Sequence, residues 1–351
     1  MAQQRILMIR PCCIGDVILM TPALKAIRRA YPDAHISVAV GGWSRKAIEH
    51  HPAIDAILNT GNAALPVKSL PGFLSFARQL RAGRYDKIFS FVRSPLMSLA
   101  VMLSGCPYRA GIDSNGRGFG YTIRAKIDPT DARHEAEVYL DVVRAAGIDT
   151  DDCYANLPVS DTAQQKIKTI LQAKNISTPY IVVNPAGGSN PGMLMHNKRW
   201  LPQNFAMVAD TLHQETGAAI ILLAGPDDGA ILQAVQQSMQ TPPHIFQGTL
   251  NFQEIGALAA GAMLYLGNDT GLTHIAAAAG AKTAMILGPS DPVRYAPYTP
   301  DSIALWKPVA LNTGGVAYSN NQSEWDWERD GISIDDVLMR LRAFLENSLS
   351  I

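Results

Sequence analysis

The sequence predicts an α/β protein built from two doubly wound parallel sheets. Short runs rich in β-branched residues alternate with longer helical patterns through most of the chain, which is typical of stacked βα units. The 351 residues are enough for roughly two domains of ordinary size. Several apolar runs lead into polar turns that contain glycine, and such turns lie at the sheet edge where open α/β sheets bind ligands. We therefore expect two doubly wound domains that face each other across a central cleft.

The first domain is expected over residues 1–175, where predicted strands and helices alternate. Short apolar runs predict strands at residues 5–9, 36–40, 56–58 and 87–92. Helical spacing of apolar residues predicts helices at residues 22–30, 44–49, 71–82 and 163–173, with another after residue 130. We place the domain boundary near Asn175, at the start of a loop over residues 175–179.

The second domain is expected over residues 176–333, followed by a closing helix. Its predicted strands are residues 180–183, 219–223, 244–246, 263–266 and 283–287. Residues 334–351 carry apolar side chains at helical spacing, namely Val337, Leu338, Leu341, Phe344, Leu345 and Leu349. We expect this segment to form an amphipathic helix that could pack back on the first domain.

Composition excludes several classes of protein. The chain is 47% hydrophobic and 17% charged, and its 30 basic residues balance 30 acidic ones, so nucleic acid is not expected as a partner. The N-terminus shows no export signal, which favours a cytoplasmic location. The longest apolar runs fall short of the roughly 20 residues that span a bilayer, so any membrane contact is expected to be peripheral.

The four cysteines do not indicate a metal or redox site. Cys12, Cys13, Cys106 and Cys153 lack C-x-x-C spacing, and we expect reduced thiols on small buried residues. Cys12 and Cys13 could instead be reactive, because they precede a predicted helix start. Residues 10–16 hold a single glycine, whereas the nicotinamide fingerprint needs three. Neither a metal nor a cofactor is expected.

Residues 267–274 are the clearest candidate for a phosphate site. An apolar run feeds this polar turn and an alanine-rich helix follows it, so unpaired backbone N–H groups and the positive helix end would face a phosphate. Gly271 permits close approach, and Thr270 and Thr273 add hydroxyl donors. Asp269 would repel a diphosphate, so it is expected to cap the helix or to accept hydrogen bonds from a sugar or a backbone amide. A plain capped βα connection is the alternative.

Asp16 is the candidate general base. It follows the first predicted strand within Ile-Gly-Asp, where a carboxylate lies at the functional edge of the sheet. The alternative is that Asp16 only caps the helix behind it. Thr21 followed by Pro22 could also start that helix five residues later.

A second glycine-containing loop follows the strand predicted at residues 180–183. Its Gly187 and Gly188 could form an anion-binding nest, and Lys198 and Arg199 follow in sequence as partners for a diphosphate. The alternative is a solvated Lys-Arg pair beside a buried tryptophan. Asp227 or Asp228, after the next strand, could accept hydrogen bonds from ribose.

Basic residues of the first domain suggest an anionic acceptor. Arg109, Arg117 and Arg124 lie, with Lys126 and Arg133, in a stretch predicted to be irregular and suited to phosphates or carboxylates. A solvated basic loop is the alternative. The apolar segments at residues 70–80 and 95–103 could rest on a membrane surface or belong to the core.

Together these segments resemble glycosyltransferase family 9, the ADP-heptose:lipopolysaccharide heptosyltransferases. The resemblance runs through residues 5–32, 133–135 with the helix after them, 184–200 and 269–297. Its most specific part is Asp-Thr-Gly-Leu-Thr-His at residues 269–274 with the alanine-rich helix behind it. The resemblance implies the GT-B fold, with two Rossmann-like domains, the acceptor in the first and the donor nucleotide in the second. It also implies inverting transfer without a metal.

By position, the resemblance makes Asp16 the catalytic base and Lys198 a ligand of the donor phosphates. It places the diphosphate and the donor sugar beside residues 269–271 and His274. With the expectations drawn from the residues themselves, the predicted donor site comprises Gly187, Gly188, Lys198, Asp228, Asp269, Thr270, Gly271, Leu272, Thr273 and His274. The predicted acceptor site comprises Gly15, Arg109, Arg117 and Arg124.

The expected partners are a nucleotide-sugar donor, with an ADP-sugar favoured, and an anionic glycolipid or glycan acceptor. Peripheral contact with the inner face of the cytoplasmic membrane is also expected. Two alternatives stay open at this point. One is another nucleotide-sugar enzyme of the same fold, such as a 2-epimerase, and the other is a non-catalytic protein that binds a sugar nucleotide.

Overall fold

The computed structural model describes residues 3–176, 178–190, 193–312 and 325–346. The chain forms two compact units, Met1–Leu157 and Pro158–Ile351. The boundary between the two units, after Leu157, lies earlier in the chain than the boundary predicted near Asn175. The difference is the helix Asp161–Ala173, which belongs to the second unit because it packs there against the helix Phe252–Ala260. An ion pair between Lys166 and Glu254, 2.7 Å long, joins these two helices.

The first unit contains a six-stranded parallel sheet in the order β3-β2-β1-β4-β5-β6. Its strands are β1 (Arg5–Ile9), β2 (His35–Val40), β3 (Ala56–Asn59), β4 (Lys87–Ser90), β5 (Tyr108–Asp113) and β6 (Ile123–Lys126). Its helices are α1 (Ile14–Leu19), α2 (Thr21–Ala30), α3 (Gly42–Ile48), α4 (Leu70–Ala82), α5 (Pro95–Leu103) and α6 (Glu135–Ala145), with a 3₁₀ turn at Pro66–Lys68.

The first four predicted strands are confirmed, and the predicted helices of this unit are present with shifted ends. Both helix starts considered near Asp16 exist, because α1 ends at Leu19 and α2 begins at Thr21. The prediction of an irregular stretch around Arg109–Lys126 was wrong, since β5 and β6 lie there. In β6, Ala125 is buried between the exposed Arg124 and Lys126. This alternation is typical of a strand with one solvated face, and it was too short to stand out.

The second unit repeats the arrangement in the order β11-β10-β7-β12-β13-β14. Its strands are β7 (Tyr180–Asn184), the small antiparallel pair β8 (Ser189–Asn190) and β9 (Met193–Leu194), β10 (Ala219–Ala224), β11 (His244–Gln247), β12 (Leu264–Asn268), β13 (Thr283–Ile286) and β14 (Ser302–Leu305). Its helices are α7 (Asp161–Ala173), α8 (Pro202–Thr216), α9 (Gly229–Ser238), α10 (Phe252–Ala260), α11 (Gly271–Ala278), α12 (Pro292–Tyr295), α13 (Trp327–Asp330) and α14 (Ile334–Glu346), with a 3₁₀ turn at His196–Lys198.

The predicted closing helix is present as α14. Its residues Val337 and Leu341 are fully buried, and the helix packs on α8 and β14 of its own unit. Arg342 also forms an ion pair of 2.5 Å with Glu215 of α8. The helix is therefore an integral part of the second unit's core. Residues 347–351 of the prediction, with Leu349, lie outside the described residues.

In each sheet the strand order reverses beside the central strand. The reversal lies between β1 and β4 in the first unit and between β7 and β12 in the second. Crossover connections leave these two strands in opposite directions, so a crevice opens at their carboxyl ends, and ligands of such sheets bind there. Among the described residues, no helix combines the length and the hydropathy that crossing a membrane requires.

Candidate active site

Asp16 lies at the reversal point of the first sheet, as the third residue of α1. Its Oδ2 accepts a hydrogen bond of 3.0 Å from the backbone N–H of Cys13, which caps the helix start. Its Oδ1 is 2.7 Å from a guanidinium nitrogen of Arg10 and accepts a hydrogen bond of 3.2 Å from the hydroxyl of Tyr139. The carboxylate thus caps a helix and also belongs to a charged cluster.

The cluster keeps Asp16 ionised. Burial raises the pKa of this carboxyl, but the charge of Arg10 and the hydrogen bond from Cys13 outweigh it and hold the pKa below its usual value. Burial raises the pKa of Tyr139 well above the ordinary tyrosine value, so its hydroxyl stays protonated and donates. With 28% of its side chain exposed, Asp16 is an accessible anion with two fixed donors on Oδ1 and one on Oδ2.

A second ion pair supports the cluster from α6 and the end of β4. Both terminal guanidinium nitrogens of Arg93 donate to the carboxylate of Glu135 at 2.8 Å. Tyr139 lies one turn beyond Glu135 on α6, and the guanidinium of Arg10 lies over its ring, 5.4 Å from the ring centre. Arg10, Arg93 and Tyr139 were missed in the sequence. Glu135 and Tyr139 at positions i and i+4 were the available signal, since this spacing places both on one helix face.

Cys12 and Cys13, immediately before α1, are joined by a disulfide bond. The prediction of reduced thiols was therefore wrong for this pair, because the turn before α1 brings the two sulfurs together and spacing rules do not consider adjacent cysteines. Cys106 and Cys153 are free and buried, as expected.

The predicted acceptor arginines lie around the loop between β5 and β6. Arg109 donates to the carbonyl oxygens of Gly120, at 2.9 Å, and Cys106. Arg124 donates to those of Tyr121 and Phe119, at 3.2 and 3.0 Å. These two guanidinium groups hold the loop, whereas Arg117 is exposed on it. Gly15 is the second residue of α1, beside Asp16. Acceptor binding by these four residues stays a prediction.

In the second unit, Asn268 at the end of β12 joins three chain segments. It is fully buried, and its Oδ1 accepts a hydrogen bond of 2.9 Å from the backbone N–H of Trp200. Its Nδ2 donates to the carbonyl oxygens of Pro185, at 2.8 Å, and Ala186, at 3.3 Å. The loop after β7, the segment before α8 and the turn before α11 are therefore fixed around one side chain.

The two glycines of the β7 loop are required by close packing. Gly187 has φ +119°, and a Cβ there would lie 1.9 Å from a methyl carbon of Thr270. Gly188 has φ +75°, and a Cβ there would lie 2.3 Å from the carbonyl oxygen of Met195. The loop thus lies directly against the start of α11. The anion-binding role of its amides stays a prediction.

The start of α11 presents the unpaired backbone N–H groups that the sequence predicted. The helix begins at Gly271, so the N–H groups of Gly271, Leu272 and Thr273 precede the first intrahelical bond, which His274 donates to the Thr270 carbonyl at 3.3 Å. The Thr273 hydroxyl, which was predicted to face a phosphate, instead donates to the Asn268 carbonyl at 2.6 Å, and the Thr270 hydroxyl lies 3.4 Å from the Thr273 hydroxyl. These groups form a site suited to an anion.

Lys198 and Asp269 form an ion pair beside this helix end. Nζ of Lys198 is 2.5 Å from Oδ2 of Asp269. Burial raises the pKa of Asp269, but the charge of Lys198 outweighs it and lowers this pKa below its usual value, with a smaller contribution from the buried His274. Asp269 therefore accepts a hydrogen bond from Lys198, and within the described part of the chain no side-chain hydrogen bond caps the helix start. Its expected contact with a sugar stays a prediction.

Arg199 forms the second ion pair of this cluster. It donates to Asp228 at 2.9 Å and to the carbonyl of Gly187 at 2.7 Å. Asp227, in contrast, is exposed. Trp200 is fully buried, as the alternative interpretation expected, but the preceding Lys198 and Arg199 are paired and largely buried and are not solvated. The residues predicted to bind the sugar nucleotide thus lie together where the strand order of the second sheet reverses.

Known proteins resemble this chain along most of its length. Lipopolysaccharide heptosyltransferase 3 of Escherichia coli is 26% identical over 298 residues, 83% of this chain and 86% of that protein. A glycosyl transferase family 9 structure from Veillonella parvula covers 99% of both chains with a TM-score of 0.81 at 24% identity. The E. coli ADP-heptose lipopolysaccharide heptosyltransferase II covers 98% of this chain and 99% of its own, with a TM-score of 0.74 at 20% identity.

The structural similarities agree with the GT-B fold, two Rossmann-like domains, that the sequence predicted. The model of glycosyltransferase family 9 (heptosyltransferase) matches residues 73–313, more than half of the chain. The chain therefore belongs to glycosyltransferase family 9, and the protein is a glycosyltransferase.

Proposed function

We propose that this enzyme transfers heptose from ADP-heptose to a lipopolysaccharide acceptor, with inversion at the anomeric carbon and without a metal. The observation that carries the proposal is the pair of clusters at the two reversal points. One presents an ionised carboxylate, Asp16, and the other presents Lys198 beside a helix N-terminus. ADP-heptose is proposed as the donor because the similar E. coli enzyme is an ADP-heptose lipopolysaccharide heptosyltransferase.

Asp16 is proposed as the general base. Arg10 and Tyr139 occupy Oδ1, and Cys13 donates to Oδ2, so Oδ2 is the oxygen with capacity for one more hydrogen bond. An acceptor hydroxyl would donate to it. As the hydroxyl oxygen bonds to the anomeric carbon, its proton passes to Asp16 and ADP leaves with the electrons of the broken bond. The proton becomes acidic only in the transition state, which is where a base of low pKa accepts it.

The second cluster is proposed to stabilise the departing diphosphate. Lys198 uses one of its three N–H donors on Asp269, so the others can reach phosphate oxygens. The N–H groups of Gly271, Leu272 and Thr273 supply further donors, with the Thr270 hydroxyl and the amides of the Gly187–Gly188 loop beside them. Each such donor contributes about 3 kcal/mol in the transition state. In this proposal His274 faces the donor sugar and Asp228 the ribose.

The acceptor is proposed to be an anionic glycolipid bound by the first unit. Arg117 is exposed on the β5–β6 loop, and Arg109 and Arg124 lie at its base. Arginine suits phosphate groups because its planar donors match two oxygens at once. Gly15, next to Asp16 on α1, is proposed to contact the acceptor sugar. The proposed location is the cytoplasmic face of the inner membrane.

The test is direct transfer by the purified protein. With ADP-heptose and a series of truncated lipopolysaccharide acceptors that carry no, one or two heptoses, we expect release of ADP and one acceptor heavier by one heptose, at the same rate with or without a metal chelator. A thermal-shift comparison of ADP, UDP and GDP checks the donor, since a ligand at 100 times its Kd adds about 2.7 kcal/mol of stability. If only UDP or GDP raises the melting temperature, the assignment of ADP-heptose as the donor is wrong. If no donor supports transfer, the proposed function is wrong.

A further inference from the structure

Helix α5 has an apolar surface on its outer side as well as its inner side. Met97 and Val101 are buried against the sheet, whereas Leu96, Met102 and Leu103 are 46%, 39% and 46% exposed. The helix carries no charged residue. A helix on the surface of a globular protein ordinarily has polar residues on its solvent side, so a face of leucine and methionine indicates a partner.

Helix α4 extends this face and adds positive charge. It packs on α5 through the shared cluster that contains Phe76 and Leu80. On its outer side Leu70 and Leu74 are 71% and 42% exposed, and Arg78 and Arg81 follow. These four positions are separated by three or four residues, so they lie along one side of the helix.

The β5–β6 loop borders the same helix. The backbone N–H of Gly120 donates to the hydroxyl of Ser98 on α5 at 2.9 Å, which holds the loop against that helix. Phe119, the preceding residue, is 46% exposed. Arg124 donates to the Phe119 carbonyl, and Arg117 is exposed nearby in the loop. An exposed aromatic ring with two arginines thus continues the apolar and basic character of α4 and α5.

The charge of this region departs from that of the whole chain. The chain has 30 basic and 30 acidic residues, but residues 56–112 hold seven basic residues and a single acidic one, Asp86. The seven are Lys68, Arg78, Arg81, Arg84, Lys87, Arg93 and Arg109. Lys68, Arg78, Arg81 and Arg84 are exposed. A partner for this region must therefore be both apolar and anionic.

We propose that α4, α5 and the β5–β6 loop form a surface that docks on an anionic lipid bilayer. This inference rests on the proposed function, in which the acceptor is a glycolipid. The leucines, Met102 and Phe119 would enter the boundary between headgroups and acyl chains, and the arginines would bind lipid phosphates. We name this region the α4–α5 surface.

The test uses the full chain and sedimentation with vesicles. We expect it to pellet with phosphatidylethanolamine–phosphatidylglycerol vesicles at least ten times more than with phosphatidylcholine vesicles, and to be released by raised salt because surface charges are screened. The variants Leu96→Glu/Leu103→Glu and Arg78→Gln/Arg81→Gln should each reduce binding at least tenfold. Met207→Glu, at a position of α8 that is 53% exposed, is the matched control and should bind normally.

All substituted side chains are exposed, so the variants should keep the wild-type melting temperature and the thermal shift with ADP. Equal binding to both vesicle types, or normal binding by both double variants, would overturn the inference. So would a solution dimer that the leucine substitutions dissociate, since the face would then bind a second copy. Transfer to a deacylated, water-soluble acceptor without vesicles separates the two proposals. If the protein transfers heptose but does not bind vesicles, only the proposed docking surface is overturned. If it binds vesicles but transfers no heptose, only the proposed function is overturned.

Discussion

The two units share one topology but present opposite charges where their strand order reverses. In the first, the carboxylate of Asp16 is 28% exposed while its partner Arg10 is 15% exposed. In the second, Lys198 is 18% exposed while its partner Asp269 is 8% exposed. Each ion pair thus places one member outward, the anion in one unit and the cation in the other. In the proposed function, the more exposed anion of the first unit is the proton acceptor and the more exposed cation of the second unit is the phosphate ligand.

The strongest way to break this comparison is Asp16→Asn. The amide keeps the shape but cannot accept the proton, so we expect kcat to fall about 10³-fold, within the range for removal of a general base. ADP binding, measured by thermal shift, should stay near the wild-type value. The exposed Asp33→Asn of the same unit is the control and should retain activity. Loss of ADP binding together with activity would contradict the assignment.

Removal of the Lys198 charge should lower activity nearly as much as removal of the Asp16 charge. We expect Lys198→Gln to lower kcat/KM by about 10²-fold and to weaken ADP binding, because a donor to the diphosphate is lost. Part of this loss comes from Asp269, which stays buried without its ion-pair partner. The double variant Lys198→Gln/Asp269→Asn removes that anion and should recover part of the ADP affinity. No recovery would mean that Lys198 acts on the ligand alone.

The variant Asn268→Ala tests the hydrogen bonds that hold the backbone around the second cluster, and it changes no charge. Three buried hydrogen bonds are lost, so we expect the second unit to lose about 3 kcal/mol of unfolding free energy. Urea unfolding followed by tryptophan fluorescence measures this, because Trp200 lies in that core. The first unit should unfold as in the wild type. An unchanged midpoint for the second unit would show that other contacts hold the loop.

The smallest effect is expected for Tyr139→Phe, seen as a shift in pH dependence. Arg10 and the hydrogen bonds from Cys13 and Tyr139 lower the pKa of Asp16. Loss of one donor raises that pKa, so the base becomes protonated at a higher pH and the acid limb of the kcat/KM profile should move upward. Tyr121→Phe, which removes a buried hydrogen bond to Ser90, should leave the limb in place. If the acid limb of the kcat/KM profile moves in both variants, the shift comes from a general loss of stability and not from the lost hydrogen bond to Asp16.

Strands buried on both faces were readily predicted because their apolar runs are continuous, as in β1 and β7. The strands β5, β6 and β14 were missed because each includes exposed or partly exposed residues, so none of them is a continuous buried run in the sequence. Asp16 became a candidate from its place after a predicted strand, and Lys198 from its place after the Gly187–Gly188 loop and from the family resemblance. Their partners could not be predicted, since the bond from Tyr139 to Asp16 spans 123 positions and depends on how α6 packs.

Every hydrogen bond described above for the Asn268 side chain goes to main-chain atoms. These bonds therefore hold the backbone of the proposed donor site independently of the side chains of Lys198 and Asp228. Substitutions at Lys198 and Asp228 should therefore be made together with their ion-pair partners, Asp269 and Arg199, which would otherwise lose their counter-charges. If the proposed donor site is right, redesign for other nucleotide sugars should begin with these two ion pairs and keep Asn268.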